Sequence, residues 1–137
     1  LTMCALPWTD AAQAPGEAVL GDLMIDPGTW LAIVEGTGTD TATEVYLGAA
    51  VNIPWNGGVT FGSAALVDPY GNGVDFLRWA GSAETPPAGI PWTAGTALAT
   101  PFDGESLGRV TDGTDTDDAG DFCVQTPTLG VTNGGCL

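Results

Sequence analysis

The stretch Ser63–Trp79 constrains the fold of this chain of 137 residues more than any other stretch. Two apolar runs, Ala64–Val67 and Val74–Trp79, flank the sequence Asp-Pro-Tyr-Gly-Asn-Gly. The glycines and the asparagine tolerate positive φ and the proline presets the turn entry, so the stretch predicts an antiparallel hairpin. The second run is apolar on both faces, with Phe76 on one and Leu77 on the other. This pattern is typical of a strand inside a β-sandwich.

The rest of the chain is typical of short strands joined by turns. Its 21 glycines and 10 prolines are spread along the sequence, and the best helical candidate, Ala11–Leu23, is broken by a proline and two glycines. We predict one all-β domain over residues 1–137, in which 126–137 form a Pro/Gly-rich tail. The other strands are expected at Leu1–Leu6, Thr29–Glu35, Ser106–Thr111 and Phe122–Gln125, and a strand or turn is expected at Glu44–Val51. Loops are expected at Pro7–Gly21, Gly36–Thr43 and Ala80–Pro101. Trp30 and Trp79 are expected in the core.

Cations are scarce in this sequence. Arg78 and Arg109 stand against 17 acidic residues, Lys and His are absent, and the formal net charge is −15. Phosphate contacts need Lys or Arg, which argues against binding to nucleic acids or anionic membranes. No apolar run reaches the roughly 18 residues of a membrane-spanning helix. The charge instead favours solubility outside the cell, cation binding or docking to a basic partner, and each arginine is expected to pair with a carboxylate.

The three cysteines are Cys4, Cys123 and Cys136. They lack the close paired spacing of a zinc site, and the composition favours an extracytoplasmic disulfide. Cys123 and Cys136 flank the Pro/Gly-rich tail, so we predict a disulfide between them, with a Cys4–Cys123 bond as the alternative. The remaining cysteine would suit a partner outside this chain. Because the chain begins at Leu1 in a strand-like stretch, we expect proteolytic processing or a start within a domain.

Five aspartates crowd the segment Asp112–Asp121, DGTDTDDAGD. Such carboxylates repel one another unless a cation or solvent relieves them, and Ca²⁺ takes oxygen ligands of this kind. The EF-hand spacing is not met. A calcium site, a solvated turn and a docking surface for a basic partner all stay open. The candidate ligands are Asp112, Asp115, Asp117, Asp118 and Asp121.

Three tryptophans, Trp8, Trp55 and Trp92, lie in predicted loops. There they could stack on sugars, anchor a protein interface or cover the ends of a sandwich.

Catalysis is not expected. The chain has no His to activate a serine, and no carboxylate spacing singles out a glycosidase acid and nucleophile.

Four motifs in order resemble the lamin tail domain of secreted bacterial proteins: DPGTWLAIVEG, GSAALVDPYGNGVDFLRW, GESLGRVTDGTDTDDAGDF and TPTLGVTNG. The resemblance covers roughly residues 20–135. It implies an immunoglobulin-like β-sandwich and a non-catalytic module on surface proteins or beside secreted hydrolases and nucleases. The matching residues are Pro27, Gly28, Leu31, Leu66, Asp68, Gly71, Val74, Asp75, Ser106, Leu107, Arg109, Asp112, Gly113, Thr126, Pro127, Thr128, Gly130 and Asn133.

The resemblance also implies that the sandwich is incomplete at its N-terminus. Leu1–Leu6 is similar to the family's second strand, and no first strand precedes it. Its residues Leu1, Met3, Cys4 and Leu6 would then lie at an open sheet edge, completed by a cleaved N-terminal piece or by a neighbouring subunit. Head-to-tail completion could propagate as a filament. We therefore expect an extracellular structural or adhesion module that assembles with another polypeptide, with carbohydrate or ligand binding through the loop tryptophans as the alternative.

Overall fold

A computed structural model describes residues 4–9, 15–21, 24–51, 53, 61–93 and 97–137. Within these residues the secondary structure is strand apart from one short 3₁₀ helix, which confirms the predicted all-β class. The strands are β1 (Ala5–Thr9), β2 (Pro15–Val19), β3 (Ala32–Val34), β4 (Glu44–Tyr46), β5 (Gly62–Val67), β6 (Gly73–Trp79), β7 (Ser106–Arg109) and β8 (Phe122–Gln125), and the 3₁₀ helix spans Ala119–Asp121.

Four of the strands form one antiparallel sheet in the order β2-β1-β5-β6. Strands β3 and β4 form a separate parallel pair, and β7 and β8 form an antiparallel pair. The immunoglobulin-like arrangement of these strands stays a prediction.

The predicted hairpin is confirmed as β5 and β6. Asp68 organises its turn. One carboxylate oxygen accepts hydrogen bonds from the backbone N–H groups of Tyr70 at 2.9 Å and Asn72 at 2.8 Å, and the other accepts one from the Asn72 side-chain amide at 2.8 Å. Gly71 takes a φ of 83°, a conformation that costs glycine little. The residue types of the turn therefore explain why the chain reverses at this point.

Two hydrophobic clusters lie on opposite faces of the four-stranded sheet. Ala64 and Ala65 are neighbours on β5, so their side chains point to opposite faces. Ala64 packs in a cluster with Trp79, whereas Ala65 packs with Phe76. Trp79 is only 1% exposed, as the sequence predicted for a core residue. Coverage of both faces explains why β5 and β6 carry apolar residues at successive positions.

Several predicted boundaries are wrong near the N-terminus. The first strand runs through Thr9 instead of ending at Leu6, and β2 lies inside the stretch Pro7–Gly21 that was predicted to be a connection. The strand predicted over Thr29–Glu35 is only three residues long, and Trp30 is 49% exposed instead of buried. Long-range pairing, which the local pattern of residues does not report, decided where these strands begin and end.

The predicted open edge at Leu1–Leu6 is also wrong for the residues that the structure describes. Ala5 pairs with Val19 of β2 on one side and with Val67 of β5 on the other. The carbonyl oxygen of Cys4 accepts a hydrogen bond from the N–H of Leu20 at 2.8 Å. Strand β1 is therefore internal to the sheet, because β2 folds back against it. Leu1 and Met3, which were predicted to lie at this edge, are outside the described residues.

The predicted disulfide is present between Cys123 and Cys136, whose sulfur atoms are 2.16 Å apart. Cys4 is a free, buried cysteine, so the alternative Cys4–Cys123 bond does not form. A backbone hydrogen bond of 2.9 Å from Leu137 N–H to the carbonyl of Val124 joins the end of the tail to β8. The tail is thus held to the body of the protein although it contains no strand.

Candidate functional site

The structure describes two of the three candidate tryptophans, and neither is an exposed platform. Trp92 is 7% exposed and packs edge-on against Phe76, with ring centroids 5.2 Å apart. Trp8 is half-buried on strand β1, not in a loop. Trp55 lies outside the described residues. Trp92 therefore belongs to the hydrophobic cluster on one face of the four-stranded sheet, and the prediction that it covers the end of a sandwich stays a prediction.

Arg109 binds the acidic segment to the sheet. Its guanidinium lies 2.8 Å from Asp75 on β6 and 3.1 Å from Asp115, and it stacks 4.6 Å from the ring centroid of Phe122. It also donates a hydrogen bond of 2.7 Å to the carbonyl of Thr114. Burial lowers the pKa of Arg109, but the hydrogen bonds and charges of Asp75 and Asp115 outweigh it and hold that pKa above its ordinary value. The predicted pairing of Arg109 with carboxylates is confirmed.

The carboxylates of Asp118 and Asp121 in the segment also have protein partners. Asp121 accepts hydrogen bonds from the backbone N–H of Thr116 at 2.6 Å and from its hydroxyl at 2.8 Å. Asp118 accepts one from the hydroxyl of Thr93 at 2.5 Å and one from the N–H of Gly120 at 2.9 Å. These bonds stabilise the charged carboxylates and lower the pKa of both aspartates.

The described residues do not converge on a metal site. No group of three or more acidic, Cys or His side chains in that part of the chain is arranged to hold a cation. Asp112 instead accepts hydrogen bonds from the N–H of Asn133 at 3.1 and 3.3 Å, and Asp117 adopts a φ of 56° in the turn. Calcium would therefore compete with hydrogen bonds that are already made, and calcium binding stays a prediction.

A groove of about 540 Å³ lies between β2 and β4. Residues 16–21 form one wall, and Val45, Tyr46 and Leu47 contribute to the other. Trp8 on β1 also lines the groove, and it packs against the cluster that contains Ala64 and Trp79. Gly16 permits this arrangement, since a Cβ atom at that position would lie 2.3 Å from the ring of Trp8.

The wall made by β2 is an open sheet edge. Leu20 turns its N–H toward β1, where it donates to the carbonyl of Cys4. Alternate residues of an antiparallel strand face the same neighbour, so the backbone groups of Glu17 and Val19 face away from β1 and into the groove. In the described part of the chain no backbone group pairs with them. Val19 is 64% exposed, which leaves this edge accessible.

The opposite wall offers side chains instead of backbone groups. The N–H of Tyr46 donates to a carboxylate oxygen of Asp40 at 2.9 Å. The N–H of Glu44 donates to the hydroxyl of Thr41 at 3.1 Å, and the carbonyl of Glu44 accepts from the N–H of Thr41 at 2.9 Å. The outward edge of β4 is thus closed by its own preceding loop.

The other edge of the four-stranded sheet is covered as well. Gly73 at the start of β6 donates to the carbonyl of Ala88 at 2.7 Å. At the end of β6, Leu98 donates to the carbonyl of Arg78 at 2.8 Å and accepts from the N–H of Ala80 at 3.0 Å. Both ends of the β6 edge are thus covered, whereas among the described residues no backbone group pairs with the outer edge of β2.

The sequence did not reveal this site. The alternation in Pro15–Val19 is a weak strand signal, because a proline, a glycine and an alanine occupy three of its five positions.

No helix among the described residues is long and apolar enough to cross a membrane. Comparisons with protein-family models, with curated proteins and with solved structures found no match to this chain.

Proposed function

We propose that this chain is a non-catalytic binding module that takes up an extended segment of another polypeptide as an additional strand along β2. The observation that supports it is the open edge of β2 on one wall of a groove of about 540 Å³. Added strands gain affinity from main-chain hydrogen bonds and specificity from alternate side chains. Assembly with a second polypeptide was expected from the sequence at Leu1–Leu6. Because β1 is paired on both sides, we propose β2 as the edge that takes up the partner.

The backbone supplies the donors and acceptors that such a strand needs. The N–H and C=O groups of Glu17 and Val19 face the groove, as does the carbonyl of Pro15. Pro15 has no backbone N–H and therefore offers only an acceptor. The five residues of β2 thus present donors at Glu17 and Val19 and acceptors at Pro15, Glu17 and Val19. The half-buried Trp8 provides an apolar surface beside that edge.

The disulfide supports a place of action outside the cytosol. Disulfides persist in oxidising compartments and are rare where thiols are kept reduced. The bond between Cys123 and Cys136 therefore fits a module that works in a secreted or surface-exposed protein.

A non-catalytic role fits the sequence, since without Lys and His it offers no side-chain amine or imidazole to act as a base.

Selection of a displayed library of linear peptides, about ten residues long, against the disulfide-intact protein tests the proposal. Binders should slow hydrogen exchange at the amides of Glu17 and Val19, which have no backbone partner among the described residues. The amides of Ala18 and Leu20 face β1 and serve as internal controls, because they should be protected with and without peptide.

Two variants locate the binding. Val19→Pro removes a donor that faces the groove, and it should weaken binding about tenfold or more. Val19→Ala keeps that donor and should retain most of the affinity. Failure to select any binder, or binders that leave the amides of Glu17 and Val19 unprotected, would contradict the proposal. The exchange measurement on the unaltered protein decides the matter even if Val19→Pro does not fold.

A further inference from the structure

We infer that the segment taken up by β2 is cationic, with a Lys or Arg opposite Glu17 and an apolar residue two positions away opposite Val19; this inference rests on the proposed strand addition. The exposed side chains of Glu17 and Val19 are two residues apart on one strand and so lie on the same face. Cross-strand neighbours on one face are about 4.5–5.5 Å apart, close enough for an ion pair and an apolar contact.

Charge in the groove favours that partner. Glu17 on β2 and Asp40 on the loop before β4 both line it, and its other lining residues are uncharged at neutral pH. The hydrogen bond from the N–H of Tyr46 fixes the Asp40 carboxylate at the wall. In the described residues the ion pairs all belong to Arg109, so neither Glu17 nor Asp40 has a cationic partner there.

The chain cannot supply the missing cations itself. Its two basic residues are Arg78 and Arg109. Arg109 is committed to Asp75 and Asp115, and Arg78 donates to the carbonyl of Glu84 at 2.7 Å. Neither arginine lines the groove. None of the 137 residues places a positive side chain in the groove, so in this inference the partner supplies it.

A second copy of this chain is a poor occupant of the groove. Each copy carries a net charge of −15, so two copies repel at long range. Antiparallel pairing of two β2 strands centred on Glu17 would also place like charges opposite each other, which is destabilising. Charge on an edge strand is a common device against self-association. The same charge attracts a basic segment.

The probe is the capped peptide Gly-Thr-Thr-Val-Thr-Lys-Thr-Thr-Gly, compared with peptides in which Gln or Glu replaces Lys. Its Val precedes its Lys because a strand added antiparallel to β2 meets Val19 before Glu17. Binding is measured by fluorescence anisotropy with a zwitterionic label, at low salt and at about 0.15 M NaCl. We expect the Lys peptide to bind roughly tenfold more tightly than the Gln peptide at low salt, with the Glu peptide weakest and the differences reduced at the higher salt.

A pair of charge-matched variants assigns the effect to the groove. Glu17→Gln should weaken binding of the Lys peptide roughly two- to fivefold. Asp103→Asn removes the same unit of charge from an exposed turn outside the groove, and it should leave the affinity nearly unchanged. Val19→Pro should weaken all binding by removing the backbone donor at the edge.

The outcomes separate this inference from the proposed function. Equal affinities for the Lys and Gln peptides, with the amides of Glu17 and Val19 protected by both, would overturn the inference and leave strand addition standing. Equal binding of the Lys peptide to Val19→Pro would place its attraction on another acidic surface and would also overturn the inference. Absence of protection at β2 with every peptide, including those selected from the library, would remove both.

Discussion

Arg109 joins parts of the chain that are far apart in sequence. It extends from β7 to Asp75 on β6, to Asp115 in the acidic segment and over the ring of Phe122 on β8. Its side chain is 16% exposed, so these contacts are screened less than those of a surface ion pair. The planar guanidinium can serve several oxygens and an aromatic face at once, which an ammonium group cannot.

Replacing Arg109 with Lys should therefore destabilise the protein although the charge is kept. We expect a loss of about 1–3 kcal/mol in the free energy of unfolding, measured by urea denaturation, because charge-assisted hydrogen bonds and the stacking on Phe122 are lost. Asp103→Asn, on an exposed turn, should change that free energy by less than about 0.5 kcal/mol. A Lys variant as stable as the original protein would show that the contacts of Arg109 contribute little.

Asp121 should make stability depend on acid pH. The backbone N–H of Thr116 is the main cause of the lowered pKa of Asp121, and it outweighs the opposing effect of burial. A carboxyl group whose pKa is lowered by folding stabilises the protein above its ordinary pKa of about 3.9. That contribution is lost as the pH falls through the lower pKa of the folded state.

Thermal unfolding of the protein and of Asp121→Asn between about pH 6 and pH 2 measures this contribution. The variant cannot ionise at this position, so its melting temperature should be lower than that of the original protein near neutral pH and should approach it in acid. A difference that stays constant over this range would contradict the role assigned to Asp121.

Gln125 is a buried amide without hydrogen-bond partners. Its side chain is fully buried, and neither its nitrogen nor its oxygen is bonded to another group in the described structure. Replacement by Met keeps a similar volume and removes the unpaired polar atoms, so we expect a gain of about 1 kcal/mol in the free energy of unfolding. Gln125→Ala should be destabilising because it leaves a cavity. A loss of stability with Met would indicate that the amide is satisfied in solution.

At the scale of elements, the sequence was informative where local chemistry decides the structure. The hairpin of β5 and β6 was predictable because its turn residues set the backbone conformation. Strand β2 and its groove were not, because Pro15–Val19 becomes a strand only by pairing with β1. Trp30 shows the same limit, because it was predicted to lie in the core and is exposed in the structure. An apolar residue beside a short strand is buried only if another element packs over it.

The disulfide between Cys123 and Cys136 should stabilise the tail and β8 together. Closing a loop with a sequence separation of 13 residues contributes about 3 kcal/mol in the chain-entropy model. Cys136→Ser should therefore lower the melting temperature and abolish its dependence on reducing agent. Cys4→Ala keeps both bonded cysteines, so its melting temperature should still fall on reduction. Loss of that response in Cys4→Ala would point instead to a bond that involves Cys4.

At the scale of the whole molecule, charge is the dominant feature. Two arginines oppose 17 acidic residues, and the described ion pairs use one of those arginines with three aspartates. The remaining carboxylates repel one another, and this repulsion favours expanded states of the chain. The same excess of negative charge that destabilises the folded protein attracts the basic segment proposed for the groove.

Salt should therefore stabilise the protein. At 0.1 M NaCl the screening length is about 10 Å, which weakens repulsion between exposed carboxylates more than the short contacts of the largely buried Arg109. We expect the melting temperature to rise between low salt and about 0.5 M NaCl, with a smaller rise for variants that remove exposed acids such as Asp103. A falling melting temperature would mean that the ion pairs of Arg109 outweigh the repulsion.

CaCl₂ at matched ionic strength separates screening from specific binding of calcium. An additional rise in the melting temperature that is reversed by chelator and lost in Asp117→Asn would support calcium binding by the acidic segment. Equal melting temperatures in NaCl and CaCl₂ would leave screening as the full explanation.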